Sequence, residues 1–194
     1  LMAMTRLNLP SIMVTGGYMP DAFYNGKYVN IGDFHKARGR AKTGEITEEE
    51  YRKLEDVCVA GCGGCAGMYT DITMSVLAEA LGLTLPGNAI TCGKDVKLER
   101  IAFNSGKQVL SLWKQGIKPS DIVNEESFIN AIKVHQAVAG STNAVLHMLA
   151  IANELSLGIH IEVWDKLSRE IPFICDVIPV GKHRISKLDH AGGV

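Results

Sequence analysis

Apolar side chains recur at helical spacing along most of the chain, and this periodicity predicts a largely helical protein. The helix that begins near Thr47 carries a T-x-x-E capping signal, because Glu50 follows Thr47 by one turn. Glycines at 82, 116 and 158 mark the ends of three others. The predicted helices cover residues 1–8, 31–41, 47–57, 68–81, 95–115, 125–139 and 144–155.

Short apolar runs between the helices are the candidate strands. Residues 11–15 form one such run, closed by Gly16 and Gly17, and residues 159–161 and 173–178 form two more. Residues 18–30 are rich in Tyr, Asn, Gly and Pro and are predicted to be a loop. Because buried apolar strands that alternate with helices are typical of parallel sheets, the expected fold class is α/β, a parallel sheet flanked by helices.

The sequence at each end of the chain is typical of the interior of a structural element or turn rather than of a natural terminus. Residues 1–8 read as the later turns of a helix without a preceding cap, and residues 191–194 stop on a Gly-Gly turn. We therefore expect residues 1–194 to be a single partial domain of a longer protein, truncated at both ends.

Composition and charge narrow the classes of function. The 194 residues carry 20 basic and 21 acidic side chains, a net charge of −1, and 46% of them are hydrophobic. The high apolar fraction and low net charge argue against disorder. A nucleic-acid partner is not expected, since neither a basic excess nor a basic stripe is present. No apolar run approaches a membrane span, and no signal peptide is recognisable. The expectation is a cytoplasmic globular protein with neither nucleic acid nor membrane as partner.

Three of the five cysteines cluster as Cys58, Cys62 and Cys65, with the spacing C-x₃-C-x₂-C. Thiolates are soft ligands, and such density suits an iron–sulfur cluster or zinc. Intervening glycines permit close backbone approach to a cluster. Cys65 also precedes the helix predicted from residue 68, whose positive end would stabilise a thiolate. The simpler interpretation is that all three are small buried residues of a glycine turn.

Two metal-binding alternatives remain open from the cysteines alone. All three could hold one cluster, as in radical S-adenosylmethionine enzymes, whose motif has this spacing; a non-catalytic thiolate zinc module is a related possibility. Alternatively, only one of the three is a ligand and its partners lie elsewhere.

Blocks of sequence on both sides of Cys65 favour the second alternative. These blocks resemble, in family order, the dihydroxy-acid dehydratase and 6-phosphogluconate dehydratase family, with dihydroxy-acid dehydratase the more similar branch. The blocks are Arg6–Ile12 with Gly16-Gly17, Gly64–Thr70, Thr73-Met74, Glu79–Leu83, Leu85–Asn88, Gly140–His147 and Asp189–Val194.

The resemblance implies an activity and its cofactors. In that family a 2,3-dihydroxy acid loses water to give a 2-keto acid, in branched-chain amino-acid synthesis or a related route. The reaction uses an iron–sulfur cluster, 2Fe-2S or 4Fe-4S, together with Mg²⁺. The expected fold is accordingly part of the larger N-terminal domain of a two-domain dehydratase. The expected partners are a small dihydroxy acid substrate and a second copy of the chain in a homodimer.

Residue by residue, the resemblance places Cys65 on the third cluster cysteine and makes Cys58 and Cys62 non-ligands. The other cluster ligands, the magnesium ligands and the catalytic base would lie outside residues 1–194. No catalytic residue is therefore assigned in this segment, which is not expected to be active alone.

The candidate substrate-binding residues are Ser141, Thr142 and Asn143. They precede a helix and could present hydroxyls and amides to a carboxylate, although simple N-capping by Ser141 or Thr142 is the alternative. The sequence also departs from the family pattern after Thr70, where Asp71 and Ile72 replace the usual Ala and Asn. This change leaves open which dihydroxy acid is the substrate.

Overall fold

A computed structural model describes residues 1–194, and it is mostly helical with one small sheet. A pair of short strands lies near the N-terminus, and all later elements are helices. The elements are α1 Met2–Leu7, β1 Ala22–Tyr24, β2 Lys27–Val29, α2 Ile31–Lys42, α3 Glu48–Cys58, α4 Thr70–Ala80, α5 Val96–Gln115, α6 Pro119–Ile122, α7 Glu125–Ala137, α8 Asn143–Glu154, α9 Glu162–Glu170 and α10 Ile185–His190. No helix is both long enough and apolar enough to cross a membrane.

The helix boundaries follow the capping signals of the sequence. The Thr47 side chain accepts a hydrogen bond from the Glu50 amide at 3.1 Å at the start of α3. Asp95 caps α5 in the same way, and Gly116 ends that helix in the left-handed conformation at φ 70°. All seven predicted helices are present, so the helical periodicity was a sound guide. Helices α6, α9 and α10 were not predicted.

The segment predicted as a loop, residues 18–30, contains the only sheet. Strands β1 and β2 pair antiparallel, and Phe23 packs edge-on against Tyr28 with ring centroids 5.3 Å apart. Asn25 and Gly26 form the turn, with φ of 47° and 78°. Asn-Gly is a strong signal for such a two-residue hairpin, because both positions need positive φ.

The structure does not show the expected parallel sheet; its one regular sheet is the antiparallel hairpin. Residues 11–15 and 173–178 contribute only isolated bridges, and residues 159–161 form none. Phe173 and Ile174 are exposed, so this apolar run is not a buried strand. The broader class α/β applies, because the protein contains both helices and strands, with helices in the majority. Parallel pairing occurs only as single bridges, such as the one between Met13 and Thr84.

The core is divided into three clusters. The largest joins α4, α7, α8 and α9 around Phe128, Ile132 and Met148. A second cluster surrounds Met68 and Ile72 at the start of α4. A third lies between the hairpin, α2 and α3, and contains Cys58. We call the hairpin with α2 and α3, residues 22–58, the lateral unit.

Three backbone segments meet side by side, and we call this arrangement the glycine interlock: residues 16–19, 62–64 and 91–93. Tyr18 N donates to Thr91 O at 2.9 Å, and Gly93 N donates to Tyr18 O at 2.8 Å. On the other side, Gly64 N donates to Gly17 O at 2.8 Å, and Met19 N donates to Gly64 O at 2.7 Å. The segments approach so closely that a Cβ at Gly63 would lie 2.5 Å from the carbonyl carbon of Tyr18.

Asn88 fastens the N-terminal segment to the loop after α4. Its side chain is fully buried, and Oδ1 accepts hydrogen bonds from Thr15 N and from the Thr84 hydroxyl, both at 2.8 Å. The Thr15 hydroxyl donates to Asn88 O at 3.2 Å. At Thr15 an amide side chain thus takes the place of a neighbouring strand, so the backbone pairing of residues 11–15 is limited to the bridge between Met13 and Thr84.

Replacing Gly93 by alanine should destabilise the protein, because its Cβ would lie 2.7 Å from Cys62 O and 2.9 Å from Gly16 O. We expect Gly93→Ala to lower the free energy of unfolding by about 1–3 kcal/mol in chemical denaturation. The matched control is Gly39→Ala in α2, where nothing lies within 4 Å. That substitution should raise stability by about 0.5–1 kcal/mol. Equal effects of the two substitutions would contradict the close approach.

Asn88→Ala should also destabilise the protein, since it leaves the Thr15 amide and the Thr84 hydroxyl buried without their acceptor. We expect a loss of about 2–4 kcal/mol, compared with less than about 0.5 kcal/mol for Asn104→Ala on the exposed side of α5. Guanidinium denaturation of both variants gives the comparison. Similar midpoints would show that the Asn88 contacts contribute little.

Candidate functional site

Cys65 is a half-buried free thiol in the loop that joins α3 to α4. The preceding residue, Gly64, belongs to the glycine interlock and is fixed there by two hydrogen bonds to residues 17 and 19. After Cys65 the backbone turns through a hydrogen bond from Gly67 N to Cys65 O at 2.8 Å. Met68 N then donates to Ile178 O at 2.8 Å. Cys65 is therefore held on a backbone that is anchored on both sides.

The other two cysteines of the motif lie in different surroundings. Cys58 is fully buried in the lateral unit, and burial raises the pKa of its thiol. Cys62 is exposed, and its thiol donates to Gly93 O at 3.2 Å. Within residues 1–194, no three His, Cys, Asp or Glu side chains are grouped so that they could hold a metal ion. The structure thus does not assemble the local three-cysteine site that the radical-enzyme and zinc-module alternatives require.

A cluster of polar side chains lies where α4 and α8 begin. The Thr70 and Ser141 hydroxyls are 3.1 Å apart, and Asn143 Nδ2 donates to the Thr70 hydroxyl at 3.0 Å. The Ser141 hydroxyl also accepts a hydrogen bond from Asn143 N at 3.3 Å. Ser141 therefore bonds to the first amide of α8, as the N-capping alternative expects in part. Thr142 is exposed, and its side chain makes no capping bond. We call Thr70, Ser141 and Asn143 the hydroxyl cluster.

The buried side chain of His135 contacts this cluster from the protein interior. The ring is buried, and Nε2 lies 3.0 Å from Ser141 O, while Nδ1 has no hydrogen-bond partner. Because a carbonyl only accepts, Nε2 carries a proton, and burial lowers the pKa of the ring, which favours the neutral imidazole. Thr73 adds a second anchor, since its hydroxyl accepts from Ser141 N at 3.0 Å. A Cβ at Gly140 would lie 2.6 Å from the His135 ring, so the turn is tightly packed.

Asp71 brings a carboxylate next to the cysteine loop. A Cβ at Gly64 would lie 1.8 Å from Asp71 Oδ2, so the carboxylate packs directly against that glycine. No cation pairs with it, and desolvation raises its pKa. An unpaired, partly desolvated carboxylate beside Cys65 adds negative potential where the sequence predicts a metal group.

The residues present fit a metal cluster as one contributor to its ligand set. Cys65 offers a single free sulfur on a loop whose glycines allow close backbone approach. Since no group of three such side chains is assembled within residues 1–194, a cluster held by Cys65 would need further ligands from outside these residues.

Sequence analysis missed Thr70 and His135 as members of this region. Thr70 is the first residue of α4, and a hydroxyl at a helix start close to Cys65 was a usable signal. His135 had no such signal, because its partner Ser141 lies beyond the end of α7 and comes within reach only through the tight turn at Gly140.

The buried His135 should make stability depend on pH. Burial lowers its pKa from the ordinary 6.5, so below that pH the unfolded chain binds a proton that the folded protein resists. Stability from this residue is therefore complete above about pH 6.5 and declines as the pH falls. Gln at 135 cannot titrate and keeps a donor for Ser141 O. Between about pH 7.5 and pH 5.5, His135→Gln should lose less stability than the wild-type protein in chemical denaturation.

His160→Gln is the matched control for this experiment, because His160 is exposed. The control should keep the pH dependence of the wild-type protein. If His135→Gln also kept the wild-type pH dependence, the lowered pKa of His135 would not be its cause.

Comparison with known proteins gives the chain its family. All residues, 1–194, match the family described as dihydroxy-acid/6-phosphogluconate dehydratase N-terminal. The chain is 42% identical over 194 residues to a dihydroxy-acid dehydratase of Pyrococcus abyssi and 45% identical over 195 residues to one of Archaeoglobus fulgidus. Each match covers 100% of this chain but only 35% and 36% of the relative, about a third of its length. On this whole-length match, the chain belongs to the dihydroxy-acid/6-phosphogluconate dehydratase family and corresponds to its N-terminal part.

Proposed function

We propose that this chain is part of a hydro-lyase that removes water from a 2,3-dihydroxy carboxylic acid and yields a 2-keto acid. The observation that carries the proposal is the anchored Cys65 loop, which leads directly into the hydroxyl cluster at the start of α4. The relatives named dihydroxy-acid dehydratase support the reaction type. Because the chain spans about a third of their length, the activity belongs to the full-length protein.

Cys65 is the residue of this chain that would hold an iron–sulfur cluster, of the 2Fe-2S or 4Fe-4S type. When bound, the cluster and a nearby Mg²⁺ would supply Lewis acids for the departing hydroxyl and the carboxylate side of the substrate. The chain itself holds the sulfur in place, since the glycine interlock fixes Gly64 and the Met68–Ile178 hydrogen bond fixes the other end of the loop.

The hydroxyl cluster would bind and orient the dihydroxy acid. Thr70 and Ser141 can both donate and accept, and Asn143 offers an amide. This combination suits a ligand with a carboxylate and two adjacent hydroxyls, which needs both kinds of partner. Thr142, exposed at the same turn, could contact the substrate from the solvent side. His135 and Thr73, both buried, would keep Ser141 in place for this role.

The remaining assignments complete the proposal. Residues 1–194 would be a single partial domain, within the larger N-terminal domain of a two-domain enzyme. The parallel bridges of the glycine interlock would extend into a fuller parallel sheet there. The enzyme would act in the cytoplasm as a homodimer, in branched-chain amino-acid synthesis. Asp71 would influence which dihydroxy acid is accepted.

The cysteines provide the test. We expect the anaerobically purified full-length protein to contain iron and acid-labile sulfide and, with Mg²⁺, to form a 2-keto acid from 2,3-dihydroxyisovalerate. Cys65→Ser should lose most of the cluster and the activity, because a hydroxyl is a poor substitute for a thiolate ligand. Cys62→Ser should keep both, since the Cys62 thiol is exposed and bonded to a carbonyl.

Cys58→Ala separates a structural role from a ligand role. Since Cys58 is fully buried, this variant should lower the thermal midpoint but keep the iron-to-sulfide ratio. Loss of the cluster in all three variants would instead point to a local three-cysteine site. Zinc without labile sulfide would point to a zinc module, and a cluster without dehydration of any dihydroxy acid would refute the reaction.

A further inference from the structure

Helix α5 is the longest helix of the structure, and one of its sides has no partner. None of its 20 residues belongs to the three core clusters. Only Ile101, Ser105 and Leu112 are buried, and their spacing places them along one side of the helix. Because helices in proteins owe most of their stability to packing of an apolar face, the opposite side of α5 deserves the same question.

That opposite side carries large apolar side chains in solvent. Val96, Phe103, Leu110 and Trp113 are all exposed, and we call them the apolar row. The first three recur at every seventh residue and Trp113 follows Leu110 by three, which is the spacing of the contact positions in a coiled coil. Phe103 is 67% and Trp113 68% exposed. A contiguous apolar surface of this kind marks an interaction site.

The middle of the apolar row leaves room for a partner. Gly106 lies between Phe103 and Leu110, and a Cβ at Gly106 would meet nothing within 4 Å. A side chain from a facing helix can therefore enter there and pack beside the Phe103 ring, as the interlocking side chains of paired helices do.

Charge beside the apolar row indicates the kind of partner. Arg100, Lys107 and Lys114 also recur at every seventh residue, and we call them the basic row. None of the three forms an ion pair. The Lys107 ammonium instead lies 4.5 Å from the centre of the Phe103 ring. Because flanking positions of paired helices contact each other, the fitting partner is an amphipathic helix flanked by Asp or Glu.

A second copy of α5 does not have this chemistry. An antiparallel pair would bring the two basic rows together along the same side of the contact. A parallel pair would place Glu99, which lies between Val96 and Phe103 on the contact side, opposite its own copy. Like charges that face each other across an interface are unfavourable in both arrangements.

The remaining part of the full-length chain is the occupant that the structure favours. Residues 1–194 cover about a third of the length of the relatives, so most of the full-length protein lies outside them. The last helix, α10, is held against the first turn of α5, because Asp189 pairs with Lys97 at 3.3 Å. Polypeptide that follows residue 194 is therefore tethered close to the apolar row, and tethering raises its effective concentration there.

We propose that α5 is the docking face for an acidic amphipathic helix from the part of the full-length chain that follows residue 194. The apolar side chains of that helix cover the apolar row, and its carboxylates pair with the basic row. The contact holds the later part of the polypeptide against residues 1–194. It uses no residue of the Cys65 loop or the hydroxyl cluster, so it does not depend on the proposed reaction.

Thiol labelling of the full-length protein tests whether the apolar row is covered. The two variants are Leu110→Cys, on the apolar row, and the matched control Gln108→Cys, at an exposed position of α5 away from it. Leu110→Cys should react with a maleimide roughly tenfold or more slowly than Gln108→Cys, because a covered thiol reacts only when the two helices separate. Peptide mass spectrometry gives both rates, and unchanged thermal midpoints show that both variants fold.

Reversal of the basic row adds a test of the charge. In Lys107→Glu/Lys114→Glu, the labelling rate of Leu110→Cys should rise towards that of the control, since the carboxylates of the docked helix are then repelled. Equal labelling of Leu110→Cys and Gln108→Cys without this reversal would overturn the proposal.

Carbodiimide cross-linking of the wild-type full-length protein identifies the occupant, since this reagent joins a lysine amine directly to a neighbouring carboxylate. Lys107 and Lys114 should link to Asp or Glu residues beyond position 194. In a mixture of isotope-labelled and unlabelled protein, these links should never combine the two isotopes. Links of mixed isotope composition, links only to residues before position 194, or no links from either lysine would each overturn the proposal. Since no dehydration is measured, these results are independent of the Cys65 experiment.

Discussion

The close backbone contact of the glycine interlock is the constraint on which the rest of the structure depends. Residues 16–19 lie between two other segments and hydrogen-bond to both. Side chains at Gly17, Gly63 or Gly93 would collide with neighbouring backbone. The positions of Cys65, of the loop after α4 and of Tyr18 all follow from this contact, because each belongs to one of the three segments or continues it.

The position of the interlock explains why a site can form with little regular sheet. In most α/β proteins, a buried sheet carries the functional loops at its edge. Here three short segments pair through single bridges, and Asn88 supplies hydrogen bonds that a further strand would make. Helix α4 then starts within a few residues of Cys65 and brings Thr70 to Ser141 and Asn143.

Local signals in the sequence predicted the helices well and the strands poorly. The Thr47 cap and the Gly116 stop act within one turn, so periodicity and capping were enough to place α3 and α5. The run at residues 11–15 was misassigned because its backbone pairs only at Met13, with Thr84, and Thr15 bonds instead to the Asn88 side chain. Ser141 and Asn143 were selected because they precede a predicted helix, and the resemblance singled out Cys65 among the three clustered cysteines. His135, by contrast, depends on a contact that only the folded chain creates.

The lateral unit leaves the interlock and returns to it at the same place, since Met19 and Gly64 are hydrogen-bonded to each other. The entropy of closing such a loop grows only slowly with its length, by about 0.6 kcal/mol for each doubling. Evolution can therefore lengthen, shorten or replace this unit without moving Cys65. Because Tyr28 of its hairpin and Tyr18 of the interlock line the same cavity, such exchanges would reshape that cavity while the cysteine loop stays constant. The shape of this cavity and the position of the cysteine loop are thus set by different parts of the same short chain.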